Sequence, residues 1–135
     1  MVKTPAISSM AYVDTSAILS IVFEEPDWEL TAHRLAEFPV LLSSNLLEAE
    51  MRSAYEREGM AFDPGSVSSI GWVNPTRSLG REMAETIANG GYLKGADLWH
   101  IAVALFVDES VTGNLSFITL DVSQKTAAAN LGFET

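Results

Sequence analysis

Short apolar runs alternate with longer segments of helical spacing along the chain. Three runs, bounded by polar or turn-forming residues, predict strands at Met10–Val13, Val40–Ser43 and Ser116–Leu120. A less apolar run, Ile70–Val73, is a further strand candidate. Because the strands alternate with helices, the pattern predicts an α/β domain with a mostly parallel central sheet flanked by helices.

The segments between these runs carry helix start and stop signals. Asp14 or Thr15 is placed to cap the first helix, and Asn45 is placed to cap the third. The predicted helices are Thr15–Phe23, Trp28–Phe38, Asn45 to about Glu58, Asn74-Pro75-Thr76 to about Asn89, a helix to about Glu109 that contains LKGADLWHIAVALFV, and Val122–Asn130. The fifth is nearly all apolar from Leu98 onward, so we expect it to be buried on most sides.

Composition indicates a folded chain in one domain. The 135 residues are 47% hydrophobic and 19% charged, and a chain of this length buries about two-thirds of its unfolded surface. The absence of cysteine excludes disulfides and thiolate metal sites and fits a reducing compartment. The N-terminal residues lack the apolar core of a secretory signal, and the longest apolar run, IAVALFV, is too short to cross a bilayer. We therefore expect a soluble, cytoplasmic protein.

The formal net charge of −10 limits the kinds of partner that the surface attracts. It predicts weak non-specific attraction to nucleic acid and favours a cationic partner or metal ions.

Three aspartates lie at predicted helix starts. Asp14 and Asp121 each come directly after a predicted strand, where ligands bind in parallel α/β sheets, although an ordinary helix cap also explains either one alone. Asp97 lies in the first turn of the apolar fifth helix, where the helix dipole stabilises an acid by roughly 0.3–1 kcal/mol. This is too little to offset the burial of an unpaired charge, so Asp97 needs water, a cation or a metal nearby.

Glu50 is the fourth candidate acid. Helical spacing gives Glu48 an ordinary surface partner, Arg52, four residues on. Around Glu50 the same spacing places only apolar and small residues, with no basic partner, so we expect Glu50 rather than Glu48 to belong to a site. Four converging acids would repel each other strongly unless they surround divalent cations, and an all-oxygen set suits Mg²⁺ or Mn²⁺.

These residues resemble the PIN-domain ribonucleases, and among them the VapC-type toxins of toxin–antitoxin pairs. The resemblance extends from about Ala11 to Phe133 and is carried by YVDTSAIL, SSNLLEAEMRSA, GADLWHIAVAL and FITLDVSQKTAAANLGF. It implies a single PIN-like domain over residues 1–135, with a core at about 10–133 and an N-terminal extension at 1–9.

The resemblance also implies site residues and a cofactor. Asp14, Asp97 and Asp121 would ligate Mg²⁺ or Mn²⁺, and Glu50 would complete the acidic cluster directly or through water. The hydroxyls expected to support the carboxylates or the substrate phosphate are those of Thr15 or Ser16 and of Thr119. His100 is expected to be structural. Gln124 stands in the region where several relatives carry another acid.

The implied activity is hydrolysis of RNA phosphodiester bonds, leaving 5′-phosphate and 3′-hydroxyl ends. A homodimer is implied, as is a small antitoxin whose basic C-terminal segment lies across the active-site groove. RNA would contact local basic side chains, with Lys94 best placed because it lies three residues before Asp97. The candidate basic residues are Arg52, Arg57, Arg77, Arg81 and Lys94.

Other functions remain open from the sequence. A phosphoacceptor signalling domain is disfavoured because a single acid, Asp14, follows the first strand, and an aspartyl phosphatase because Ser16 stands two residues later. A catalytically inactive PIN-fold module that binds an antitoxin-like partner is the main alternative. A PIN nuclease of RNA processing, outside toxin–antitoxin systems, is another.

Overall fold

A computed structural model describes residues 9–110 and 114–135, in which four strands form one sheet and all three strand pairs are parallel. The order across the sheet is β3-β2-β1-β4. The strands are β1 (Met10–Val13), β2 (Val40–Ser44), β3 (Ile70–Val73) and β4 (Leu115–Ile118). The predicted α/β class with a parallel sheet is confirmed. The predicted N-terminal extension, 1–9, lies outside the described residues except for Ser9.

Six α-helices in the described residues connect and flank the strands. They are α1 (Thr15–Val22), α2 (Trp28–Ala36), α3 (Leu46–Arg57), α4 (Gly80–Gly90), α5 (Gly95–Ser110) and α6 (Val122–Asn130). A short 3₁₀ helix, Pro64–Val67, precedes β3, and the Asp63 side chain caps it by accepting from the Gly65 amide.

Alternating side chains of β1 supply the two layers of the core. Tyr12 packs with α5 and Phe117 of β4, whereas Ala11 and Val13 pack on the other face with α1 and α3. The fifth helix is buried along most of its length from His100 to Val107, as its apolar sequence predicts. The core therefore fixes the carboxyl end of β1 and the helices α3 and α5, which position three of the four candidate acids.

The predicted start of α4 at Asn74 to Thr76 is wrong. The helix begins at Gly80, after Leu79, and the hydroxyl of Ser78 accepts a hydrogen bond from the Gly80 amide. Pro75 fixes only its own backbone angle, so it is as compatible with the observed loop as with a helix start.

The predicted end of β4 at Leu120 is also wrong. The strand ends at Ile118, because the next free amides bond to side chains instead of a neighbouring strand: Leu120 N–H donates to Ser16 Oγ and Asp121 N–H to Thr119 Oγ1. Asp121 therefore follows two loop residues, Thr119 and Leu120, while Asp14 does come directly after its strand.

The cap of α3 differs from the prediction as well. Asn45 occupies the capping position but its side chain makes no capping hydrogen bond. Ser44 Oγ accepts from the Leu46 amide at 3.2 Å instead, because Asn45 already has helical backbone angles.

Candidate active site

All four predicted acids line a single open cleft of about 460 Å³, the acidic cleft. It lies at the carboxyl end of β1, between the starts of α1, α5 and α6 and the middle of α3. The acids are Asp14, Glu50, Asp97 and Asp121. Thr15 and Ser16, whose hydroxyls the family resemblance implies as supporting groups, line it too.

Asp14 is the most deeply buried of the four acids, with 4% of its surface exposed. Its Oδ2 accepts from the amide and the hydroxyl of Ser16, at 3.2 and 2.7 Å, so it caps α1. The capping role that explains Asp14 locally is therefore real, and it coexists with a place in the cleft.

Asp121 is held by the loop that follows β4. Its Oδ1 accepts from the Gln124 amide at 2.8 Å and caps α6. Gln124 is buried and its side-chain amide reaches the backbone carbonyl of Asp97 at 3.3 Å, which ties α6 to α5. Thr119 is buried behind the cleft, where its hydroxyl lies 2.7 Å from Gln124 Oε1 and 3.1 Å from Asp14 Oδ2.

Glu50 and Glu48 separate as their helical spacing predicts. Glu48 pairs with Arg52 on the exposed side of α3, at 3.4 Å. The Oε1 atom of Glu50 instead accepts from Thr15 Oγ1 at 2.8 Å and lies 2.6 Å from Nε2 of His100. Sequence reasoning assigned His100 a structural role, and it is indeed fully buried, yet it touches this carboxylate.

Repulsion among the acids is visible at Asp97. Burial, followed by the charges of Asp14, Asp121 and Glu50, raises the pKa of the Asp97 carboxyl above its ordinary value, and His100 opposes this shift. The four groups are thus close enough to act on one another electrostatically, although they come from four different elements.

Basic side chains contribute little to the acidic cleft. Among the described residues, Arg57 is the one Lys or Arg side chain that lines it, and it also donates to Glu58 at 3.2 Å. Lys94, the best-placed candidate on sequence spacing, is exposed but does not line the cleft. Arg77 and Arg81 form ion pairs with Glu82 and Glu109, away from the acids.

The donor set suits a hard divalent cation, because it consists of carboxylate and hydroxyl oxygens whose negative charge is largely uncompensated. Within residues 9–110 and 114–135, no group of three His, Asp or Glu side chains is already gathered tightly enough to hold an ion by itself. Mg²⁺ usually keeps several waters and takes only one or two protein carboxylates, so this wider spacing is compatible with its binding.

Comparison with protein families matches residues 11–130 to the PIN domain. The chain belongs to the PIN domain family. PIN domains are generally nucleases, a class of hydrolases, and typically use divalent metals. No curated protein matches the chain in a sequence comparison. No helix in the described part of this PIN domain is long and apolar enough to span a membrane.

The sequence did not single out three residues that line the cleft of this PIN domain or contact its acids. They are His100, Gln124 and Arg57. His100 lies three residues after Asp97 and therefore about one turn along the same side of α5, which was the available signal. Its partner Glu50 is 50 positions away, so no local pattern indicates their contact. Arg57 lies seven residues after Glu50 on α3, two turns along one face.

Proposed function

We propose that the protein is a metal-dependent endoribonuclease, the toxin component of a toxin–antitoxin pair. The observation that carries the proposal is the acidic cleft, in which four carboxylates from separate elements line one cavity, and where burial, followed by the neighbouring charges, raises the pKa of Asp97. A PIN domain with such a cluster has the groups that metal-assisted phosphodiester hydrolysis requires.

Asp14, Asp97 and Asp121 would hold Mg²⁺ or Mn²⁺, with Glu50 as a further ligand or as the acceptor of a metal-bound water. When bound, such an ion activates water for attack on phosphorus and neutralises charge that develops on the phosphate oxygens. The side chains themselves keep the carboxylates in place: Ser16 donates to Asp14, and Thr15 donates to Glu50.

The hydroxyls of Thr15, Ser16 and Thr119 therefore support the carboxylates in this proposal, rather than the substrate phosphate. Ser16 Oγ donates to Asp14, accepts from the Leu120 amide and also lies 3.2 Å from the Thr119 hydroxyl. Thr119 is 6% exposed, too deep to meet an RNA strand.

RNA is the proposed substrate and Arg57 its proposed phosphate contact. Arg57 combines a position in the acidic cleft with an exposed side chain, and a guanidinium binds phosphate oxygens well. Lys94 remains a second candidate, outside the cleft wall.

We also propose two protein partners, an antitoxin and a second copy of the chain. A net charge of −10 and a cleft lined by carboxylates favour a basic antitoxin segment as inhibitor of this cytoplasmic toxin. A homodimer is proposed on the family resemblance.

The test compares two neighbouring glutamates of α3 in RNA cleavage with Mn²⁺. Glu50→Gln should reduce the cleavage rate by more than about tenfold, since it removes a charge from the cleft. Glu48→Gln removes the same charge from the exposed side of the helix and should leave the rate within about twofold of wild type. Equal effects of the two substitutions would contradict the assignment of Glu50 to the site.

A further inference from the structure

A buried chain of hydrogen bonds leads from the sheet to Glu50. The Tyr12 hydroxyl lies 2.6 Å from Nδ1 of His100, and Nε2 of the same ring lies 2.6 Å from Glu50 Oε1. Tyr12 and His100 are both fully buried. The three residues are far apart in sequence, on β1, α5 and α3, so the contacts depend on the folded domain.

The donors and acceptors fix the direction of these bonds. A phenol is protonated at neutral pH and has one hydrogen to donate. The Ser44 amide donates to the Tyr12 oxygen at 3.1 Å, which leaves the Tyr12 hydrogen for His100 Nδ1. A ring whose Nδ1 accepts carries its hydrogen on Nε2, the atom that faces Glu50.

The contacts of Glu50 are asymmetric. Both of its side-chain hydrogen bonds among the described residues, from Thr15 and from His100, end on Oε1. The glutamate side chain is 31% exposed and lines the acidic cleft, so Oε2 is the oxygen left for water or a cation.

We propose that Tyr12 and His100 are a positioning pair for Glu50. Tyr12 holds the His100 ring so that its Nε2–H faces Glu50, and His100 holds Oε1 so that Oε2 is presented to the cleft. The role of Oε2 as a metal or water acceptor rests on the proposed function, whereas the hydrogen-bonded arrangement does not. A residue that orients a ligand in this way typically changes metal affinity or activity by about 10–100-fold when it is lost.

The first test reads the tautomer directly, by nitrogen-15 NMR of histidine in the metal-free, full-length protein at neutral pH. The chain has two histidines, and the exposed His33 on α2 serves as internal reference for a ring in solvent. The proposal predicts that Nε2 of His100 carries a hydrogen and that Nδ1 carries none. A hydrogen on Nδ1 would overturn it.

The second test measures Mn²⁺ binding by calorimetry, without RNA, in a double-mutant cycle. Tyr12→Phe keeps the ring that stacks on Phe117 and should weaken binding about tenfold, and His100→Leu should weaken it at least as much. In the His100→Leu background, Tyr12→Phe should have no further effect if it acts through His100. Additive losses, or no loss from Tyr12→Phe, would overturn the pair.

Two further variants separate positioning from general damage to the fold. Tyr55→Phe alters another buried tyrosine, one that packs on Phe23 and Phe62, and should leave Mn²⁺ affinity unchanged. His100→Gln retains a donor and should bind Mn²⁺ more tightly than His100→Leu; equal binding would count against a hydrogen-bonding role. If wild type binds no Mn²⁺, the proposed metal-dependent function fails, and the tautomer then decides the positioning pair alone.

Discussion

At the scale of single residues, neutral donors hold the acids of the cleft. Hydroxyls of Thr15 and Ser16 and backbone amides bond to the carboxylates, while Arg57 is the one Lys or Arg side chain on the cleft wall in the described residues. Hydrogen bonds from neutral groups stabilise a carboxylate without cancelling its charge. The cluster therefore retains the negative charge that a divalent cation requires.

The substitution Asp97→Asn tests how the charge of Asp97 affects both stability and cleavage. Because the pKa of Asp97 is raised, its ionised form is disfavoured in the folded protein, and its charge costs stability at any pH above the ordinary aspartate value. We expect the metal-free variant to melt at the same temperature as wild type or higher. Its metal-dependent cleavage should fall by more than about 100-fold, since losing a ligand should cost more than losing an outer partner.

Calorimetric melting of both proteins in chelator, followed by an RNA cleavage assay, measures both effects. A large drop in melting temperature without metal would mean that Asp97 serves mainly to stabilise the start of α5.

At the scale of elements, local signals predicted the acids' positions better than the elements' ends. Asp14 and Asp121 cap helices as their neighbours indicate, and the spacing of α3 separated Glu50 from Glu48 correctly. The end of β4 was wrong because its next amides bond to Ser16 and Thr119, and Ser16 is more than a hundred positions distant. Local patterns contain no information about such partners.

The start of α4 carries an ion-pair network that the sequence did not indicate. Glu82 is fully buried and accepts hydrogen bonds from Arg77, and Arg81 lies 3.7 Å from Oε2, one of the oxygens that Arg77 contacts. The hydrogen bond from Arg77 is the main cause that lowers the pKa of Glu82 from 4.5 to about 2. A lowered pKa means that folding favours the ionised form, so the contribution is complete above about pH 4.5 and is lost as the pH falls toward 2.

Glu82→Gln should therefore lower the free energy of unfolding at neutral pH, and its difference from wild type should shrink at about pH 3. Urea unfolding at both pH values measures this, with Glu85→Gln on the exposed side of α4 as the matched control. A difference that stays constant with pH would show that packing, and not the ionised pair, accounts for the effect of Glu82.

At the scale of the whole molecule, strong negative charge opposes binding of the RNA that we propose as substrate. With a net charge of −10, RNA binding must depend on local cations, and Arg57 is the basic side chain on the cleft wall in the described residues. The sequence favoured Lys94 as the RNA contact because it lies three residues before Asp97. Spacing along the chain indicates that two residues are near each other, but not that both side chains line the same cleft. The class of fold and the convergence of the four acids on one cleft were predictable, but the presence of Arg57 rather than Lys94 on the cleft wall was not.

Arg57→Gln should weaken RNA binding about tenfold and reduce its salt dependence by about one unit of log–log slope. Lys94→Gln removes the same charge from an exposed position off the cleft wall and should change binding little. Titration of a labelled RNA into metal-free protein over a range of salt concentrations measures both. A larger loss of RNA binding in Lys94→Gln than in Arg57→Gln would instead assign the phosphate contact to Lys94.

We propose that the acidic cleft cuts RNA with a divalent metal. The most direct measurement is cleavage of total RNA by antitoxin-free protein with Mg²⁺ or Mn²⁺, with Asp14→Asn as the control and the new ends sequenced. We predict metal-dependent cuts that bear 5′-phosphates and are absent from the variant. No cleavage by a correctly folded wild-type protein that binds Mn²⁺, or equal cleavage by Asp14→Asn, would contradict the claim, and the former would favour an inactive interaction module.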